Sequence, residues 1–236
     1  MVFDKNEFYS KGAYLENNPG WHSEDAGWKS AIINKIINKN NLQPASVVEV
    51  GCGAGGVLFE LSQLNPVIKS LNGYDISPQA IELAKQFENE RIHFYCADYL
   101  LIKPSNSQFL LMIDVLEHIE DYTGFLKELK SKSEYFVFHV PLDLCCRTVL
   151  KPHVLYQQRQ SVGHIHYFSK EIIEWALLDA GYKIIDQVYT KPLIDIEPTT
   201  SVKRSVKKIL RNFSFLIHPD WSAKVWGGYS IMFLLK

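Results

Sequence analysis

Short apolar runs alternate along this chain with longer stretches in which apolar residues recur every three or four positions. Residues 46–50, 71–75, 92–96, 109–114 and 134–140 are strand-length runs. Between them, residues 55–65, 78–88 and 121–131 carry helical spacing, with Val57, Leu58, Leu61 and Leu64 in the first. Such alternation predicts a parallel sheet joined by right-handed crossovers. Ahead of the first strand, Ser23 followed by Glu24 and Asp25 opens a helix that continues through the amphipathic AIINKIINKNN, so residues 1–41 form an N-terminal helical cap. Near the end, Ser169 starts the helix KEIIEWALLDA, Gly181 closes it, and YKIIDQVYT and YSIMFLLK are the last strands. One domain over residues 42–236 then carries two insertions, 141–167 and 191–225, with no internal repeat.

The first strand runs through VVEV into the turn GCGAGG and then a helix, a layout in which the backbone approaches a ligand and helix N–H groups point at it. Gly51, Gly53 and Gly56 satisfy the dinucleotide spacing, while Gly51, Gly53 and Gly55 satisfy the spacing of enzymes that use S-adenosyl-L-methionine (SAM). The glycines alone do not choose. Glu49, inside the apolar strand, suits a cationic sulfonium and ammonium better than a pyrophosphate, although a strand-end acid bonded to backbone amides is the plainer alternative. Asp75 ends the second run before the helix start Ser77-Pro78, where a carboxylate reaches ribose hydroxyls in either ligand class.

Composition narrows the classes. The 236 residues are 47% apolar, enough for a sizeable core, and 25 basic against 26 acidic residues leave a net charge of −1, which argues against a global footprint for nucleic acid. Cys52, Cys96, Cys145 and Cys146 fit neither a metal spacing nor a secreted disulfide framework, so a reducing cytoplasm is expected. The N-terminus lacks a basic start and apolar run, and no segment approaches the roughly 20 apolar residues that span a bilayer; a soluble, cytoplasmic protein is expected. Acids and histidines show no ligand spacing along the chain, so no metal is expected.

Two later stations add specificity. IHFYCADYL places Asp98 just beyond the third strand, positioned to accept from an adenine amino group, and FLLMIDVLEHIED ends the fourth strand at Asp114 before a turn with Glu117 and His118. With these stations in order, residues 45–190 resemble the class I SAM-dependent methyltransferases, and DVLEHIED resembles the small-molecule methyltransferases of the ubiquinone-biosynthesis type. The resemblance implies a Rossmann-like, seven-stranded α/β sheet, mostly parallel, with its last strand inserted antiparallel and helices on both faces. It implies a SAM site, with S-adenosyl-L-homocysteine (SAH) as product: Glu49, Gly51, Cys52 and Gly53 around the methionine moiety, Asp75 and Ile76 at the ribose, Asp98 and Tyr99 at the adenine, and Asp114 and Val115 beside the amino acid and sulfonium. It further implies that the aromatic N-terminal segment, Phe8 to Trp28, folds over the cofactor, with Tyr14 and Trp21 the foremost contacts; ordinary packing of the cap is the alternative.

The insertions should hold the acceptor's identity. Residues 141–167 follow the fifth strand, and ligands of open α/β sheets lie beyond the carboxyl ends of strands, which makes this loop the expected acceptor wall. GHIHYFSKE resembles a segment of small-molecule methyltransferases in which His164 is the matching histidine. Candidates for a general base are His164, His139, Asp143 and His118, in falling order; bonding to backbone carbonyls is the alternative for His164 and more so for His166. The second insertion contains SVKRSVKKILRNF, a basic amphipathic helix. It is read as a surface helix packed on the sheet edge with a solvated charged face, or else as an attractor of an anionic acceptor or an acidic membrane surface, too short for stable anchoring.

The expected function is methyl transfer to an oxygen or nitrogen of a small polar, in one reading anionic, molecule. A Pro-Pro-aromatic motif after the fourth strand and a Pro-Cys nucleophile are both missing, which disfavours DNA as acceptor. A SAM-binding subunit without catalysis and a nicotinamide-dependent oxidoreductase are the alternatives, the latter having no use for Glu49. Oligomeric state is left open.

Overall fold

The computed structural model describes residues 18, 20, 21, 23–102, 107–196 and 201–236. Tyr14, with Phe8, Tyr9 and His22, lies outside the described residues.

Strands β1 (Ser46–Val50), β2 (Ser70–Asp75), β3 (Ile92–Cys96), β4 (Ser107–Ile113), β5 (Ser133–Pro141), β6 (Ile184–Thr190) and β7 (Ser230–Leu235) form one seven-stranded sheet in the order β3-β2-β1-β4-β5-β7-β6. The first five run parallel, and β7 lies antiparallel between β5 and β6. Parallel strands must be covered on both faces, which is why β1, β4 and β5 are nearly continuous apolar runs. Side chains alternate across the sheet. Val47, Phe109, Leu111 and Val137 face helices α1 (Ala26–Lys39) and α2 (Gly56–Leu64), whose Ile33, Ile37, Leu58 and Leu61 are fully buried. Val48, Leu110, Phe136 and Phe138 face α4 (Tyr122–Leu129) and α7 (Lys170–Asp179) through Leu126, Leu129, Ile173 and Leu177.

The helix starts follow local chemistry. Ser77 accepts from the Ala80 amide ahead of α3 (Pro78–Ala84), Asp121 accepts from the Gly124 amide at α4, and Ser169 caps α7 through the Ile172 amide. Left-handed Gly55 (φ 79°) begins α2.

Both insertions hold more structure than the sequence pattern conveys. Residues 141–167 contain α5 (Cys146–Val149) and α6 (His153–Ser161), and the segment before β7 contains α8 (Pro192–Asp195), α9 (Val202–Ile217) and α10 (Pro219–Trp226). Helix α9 does not lay its apolar stripe on the sheet edge. Val202, Ile209, Phe213 and Leu216 are 82%, 66%, 64% and 75% exposed, and the helix leans on the protein from its other side, where Phe215 stacks on Tyr229 at 5.3 Å. Among the described residues no helix is long and apolar enough to cross a membrane.

Candidate active site

Parallel register brings the carboxyl ends of β1, β4 and β5 side by side, with Ile113 opposite His139 and Glu49 opposite both Gly73 and Leu111. A cavity of about 290 Å³ opens there. Its floor is the glycine turn. Gly51 (φ 73°) and Gly53 (φ 52°) are left-handed, and an added Cβ would lie 2.5 Å from Val115 Cγ2 at the first and 2.6 Å from Trp21 Cδ1 at the second. The amides of Gly51 and Cys52 donate to the Tyr74 carbonyl, tying the turn to β2. Asp75 clamps the same turn, accepting from Gly53 N and Ser77 N at 2.9 Å each. Burial pushes its carboxyl above the usual range, opposed by those backbone donors.

Glu49 is 2% exposed, and its Oε2 has no hydrogen-bond partner among the described residues. Burial raises its pKa well above the carboxylate range, although Lys29 works against the rise. Asp114, another left-handed residue (φ 55°), takes Lys29 Nζ on Oδ2 at 2.8 Å and His139 Nδ1 on Oδ1 at 2.6 Å. The second ring nitrogen of His139 meets the buried Thr190 hydroxyl at 2.8 Å. Burial alone would raise the Asp114 carboxyl, but the His139 and Lys29 partners hold it well below its ordinary value. For Lys29 burial works to lower the pKa, and Asp114 and Asp25 overcome it and raise the ammonium.

The opposite wall comes from a single 3-10 turn, Leu116–His118, and from the first insertion. The amides of Ile165 and His166 donate to the Glu117 carbonyl and hold the insertion against that turn. His164 Nδ1 lies 2.8 Å from Asp143 Oδ2, and His118 Nδ1 lies 3.1 Å from the Gly163 carbonyl. Their Nε2 atoms stand 3.8 Å and 4.0 Å from Glu117 Oε1. Glu117 is 0% exposed, with neither oxygen hydrogen-bonded among the described residues, and burial raises its carboxyl to about 8 despite His164. Burial would lower His164, but Asp143 and Glu117 outweigh it and hold the ring above its ordinary value. His166 turns away, bonds to the Glu120 carbonyl and packs edge-on against Tyr122.

Of the residues singled out from the sequence, Trp21, Glu49, Gly51, Cys52, Gly53, Asp114, His118, His139 and His164 line this cavity. Asp143 stands one bond behind, and Asp75 beneath the turn. Val115 packs beneath Gly51. Ile76, 51% exposed, and Asp98, whose Oδ1 accepts from Leu100 N, lie outside the cavity lining, and Tyr99 is 2% exposed in the core beside Tyr74. Sequence reasoning missed Lys29, Glu117 as a wall residue, and Thr190. Lys29 did leave a trace, since Asp25, four residues earlier, stands at the N-cap position of the same helix and the two pair at 2.9 Å.

A family profile described as a methyltransferase domain matches residues 21–187. A tRNA U34 carboxymethyltransferase from Nautilia profundicola is 31% identical over 115 residues, covering 45% of this chain and 37% of the relative. The match therefore spans well under half of that curated relative's length. Magnesium protoporphyrin IX methyltransferase from Synechocystis, solved with bound SAH, superposes with a TM-score of 0.62 at 16% identity, over 98% of this chain and 96% of that one. The N-methyltransferase NodS from Bradyrhizobium japonicum, also with SAH, gives 0.60 at 14% identity over 94% of each chain. At such identities the likeness concerns the fold.

Proposed function

This chain belongs to the methyltransferase-domain family, and on that premise we propose that it is a SAM-dependent methyltransferase acting on an oxygen or nitrogen of a small polar molecule. The observation that carries the reading is Glu49, a buried acid with an unpartnered oxygen at the glycine turn, where a ligand ammonium would complete its hydrogen bonding. The residues present fit SAM: Gly51 and Gly53 leave room that a Cβ would close, Glu49 would meet the amino group, and Trp21 covers the turn; Asp75, which holds the turn from beneath, is the residue assigned to the ribose. When bound, SAM supplies a methyl carbon made electrophilic by its sulfonium.

The chain's own residues then have separable tasks. Lys29 and His139 orient and neutralise Asp114, so that the end of β4 stays shaped without a loose charge. His164, aimed by Asp143, is the group through which an acceptor hydroxyl is activated, with His118, His139 and Asp143 as its neighbours. Much of the rate would come from alignment, since holding two reactants in line supplies about 7 to 11 kcal/mol. The net charge of −1 favours a small acceptor over tRNA, the substrate named for the curated relative. Four unpaired cysteines agree with a cytoplasmic setting.

The test is calorimetry of the purified protein with SAH and with NAD, followed by transfer of labelled methyl from SAM to small-molecule extract or to tRNA. SAH binding with labelled small molecules is expected. NAD binding without SAH binding would overturn the reading, label on tRNA alone would overturn the acceptor class, and SAH binding without any transfer would leave a cofactor-binding subunit.

A further inference from the structure

We propose that Glu117, His118 and His164 are the protein ligands of a first-row divalent cation at the acceptor end of the cavity. One ligand atom from each of the three residues lies within 4.8 Å of those of the other two. The hydrogen-bond pattern sets which ring nitrogens face inward. Asp143 Oδ2 and the Gly163 carbonyl accept only, so the Nδ1 atoms bonded to them, on His164 and His118, carry the hydrogens. In the neutral rings Nε2 is then the lone-pair atom, and both Nε2 atoms point toward Glu117.

Glu117 faces these nitrogens from complete burial, with neither oxygen hydrogen-bonded among the described residues. An ionised Glu117 carboxylate at this depth, facing the His164 lone pair with no hydrogen bond among the described residues, is costly. A cation at their centre reverses the sign of each interaction. The supporting shell has the character of a metal site, in which ligating histidines give their other N–H to a carboxylate or a carbonyl. Asp143 is itself fixed by Gln158 Nε2 at 2.7 Å. Bonds of about 2.0 to 2.2 Å to nitrogen and oxygen require the ligand atoms to close to roughly 3 to 3.5 Å, from 3.8 and 4.0 Å for the two ring-to-carboxylate separations and from no more than 4.8 Å for the third. Two imidazoles and one carboxylate suit manganese, iron, cobalt or zinc better than calcium.

All three ligands line the cavity, so the remaining coordination positions face the acceptor. This use of the ion rests on the methyltransferase reading, and it narrows the acceptor to a molecule that presents a hydroxyl. A coordinated hydroxyl gives its proton to solvent more readily. Its oxygen pair forms the new O–CH3 bond while the S–CH3 bond breaks, the electron pair staying on sulfur.

The experiment is titration of Co2+ into the full chain after removal of metals, read by calorimetry and by the visible absorption of the ion, with Mn2+ spin-echo spectroscopy to detect imidazole nitrogen. One ion per chain with nitrogen coupling is expected. Glu117→Gln and His164→Ala should each weaken it by at least tenfold, and Asp143→Asn by about 10- to 100-fold, while SAH affinity in these variants holds. Wild-type binding no tighter than that of Glu117→Gln, or Mn2+ without nitrogen coupling, would overturn the site and leave a proton-sharing cluster. The spectroscopic arm needs no variant, so misfolding cannot obscure it. Loss of SAH binding in the wild type would instead overturn the cofactor reading and leave the Co2+ result standing.

Discussion

Lys29 Nζ lies 2.8 Å from Asp114 Oδ2 and 2.9 Å from Asp25 Oδ2, so one buried ammonium joins the N-terminal helix to the end of β4. The cap is thereby locked to the sheet at the point where the cavity begins. The pairing is worth more than a surface bridge because Lys29 keeps only 9% of its side chain exposed, and its loss would leave Asp114 with His139 alone.

Lys29→Met should therefore destabilise the fold by about 3 kcal/mol, near the lower end for breaking a buried pair because 28% of the Asp114 side chain remains exposed. Urea unfolding measures it. Adding Asp114→Asn should cost less than the sum of the single changes, and strict additivity would mean that the two groups are uncoupled.

Asp75→Ala should weaken SAH by about 1.5 to 3 kcal/mol, because the carboxylate proposed for the ribose also holds the glycine turn through Gly53 N. Calorimetry decides, and an unchanged dissociation constant would move the ribose site elsewhere.

Gly51→Ala should abolish measurable SAH binding, since the new methyl meets Val115 Cγ2 at 2.5 Å and the left-handed backbone (φ 73°) adds roughly 1 to 2 kcal/mol of strain. Adding Val115→Ala removes the clash but not the backbone strain. The double variant should recover part of the affinity, and no recovery at all would put the whole effect in the backbone.

Stability should fall in acid partly through Asp220. The Tyr189 hydroxyl first, then Lys170 and His218, hold its carboxyl below the ordinary value. A folded-state pKa below the unfolded value of about 3.9 means that this contribution is present above that pH and fades as pH drops through the folded value. Asp220→Asn should flatten the acid limb of a plot of melting temperature against pH while leaving the neutral range level, and an unchanged acid limb would remove Asp220 from the account.

His164→Ala should lower turnover by about 10²-fold or more with SAH affinity intact, because Asp143 holds the ring on the cavity wall proposed for the acceptor rather than at the glycine turn. Full activity would assign activation of the acceptor to another group.

Strands, caps and the turn were legible because their causes are local. Val47 to Val50 is apolar in a run because a parallel strand is covered twice, Ser77-Pro78 and Ser169 cap because their side chains reach amides three residues on, and Gly51 and Gly53 adopt backbones that other residues resist. Helix α9 shows the limit of periodicity. Its apolar stripe was plain in the sequence, but a stripe does not say which body it will face, and here Phe215 rather than the stripe meets the protein.

By itself, then, the sequence determined the alternation of strands and helices outside the two insertions, the reversed last strand through its family resemblance, and the glycine turn after β1. Only the tertiary structure decided that Lys29 reaches Asp114 and that Glu117, His118 and His164 share one pocket. Glu117 and His118 belong to a turn after β4, and His164 to an insertion after β5 that becomes their neighbour when the Ile165 and His166 amides bond to the Glu117 carbonyl. Chain spacing could not announce that cluster, because its members are brought together by strand register and by one backbone hydrogen-bond pair, and neither leaves a periodic mark on side chains.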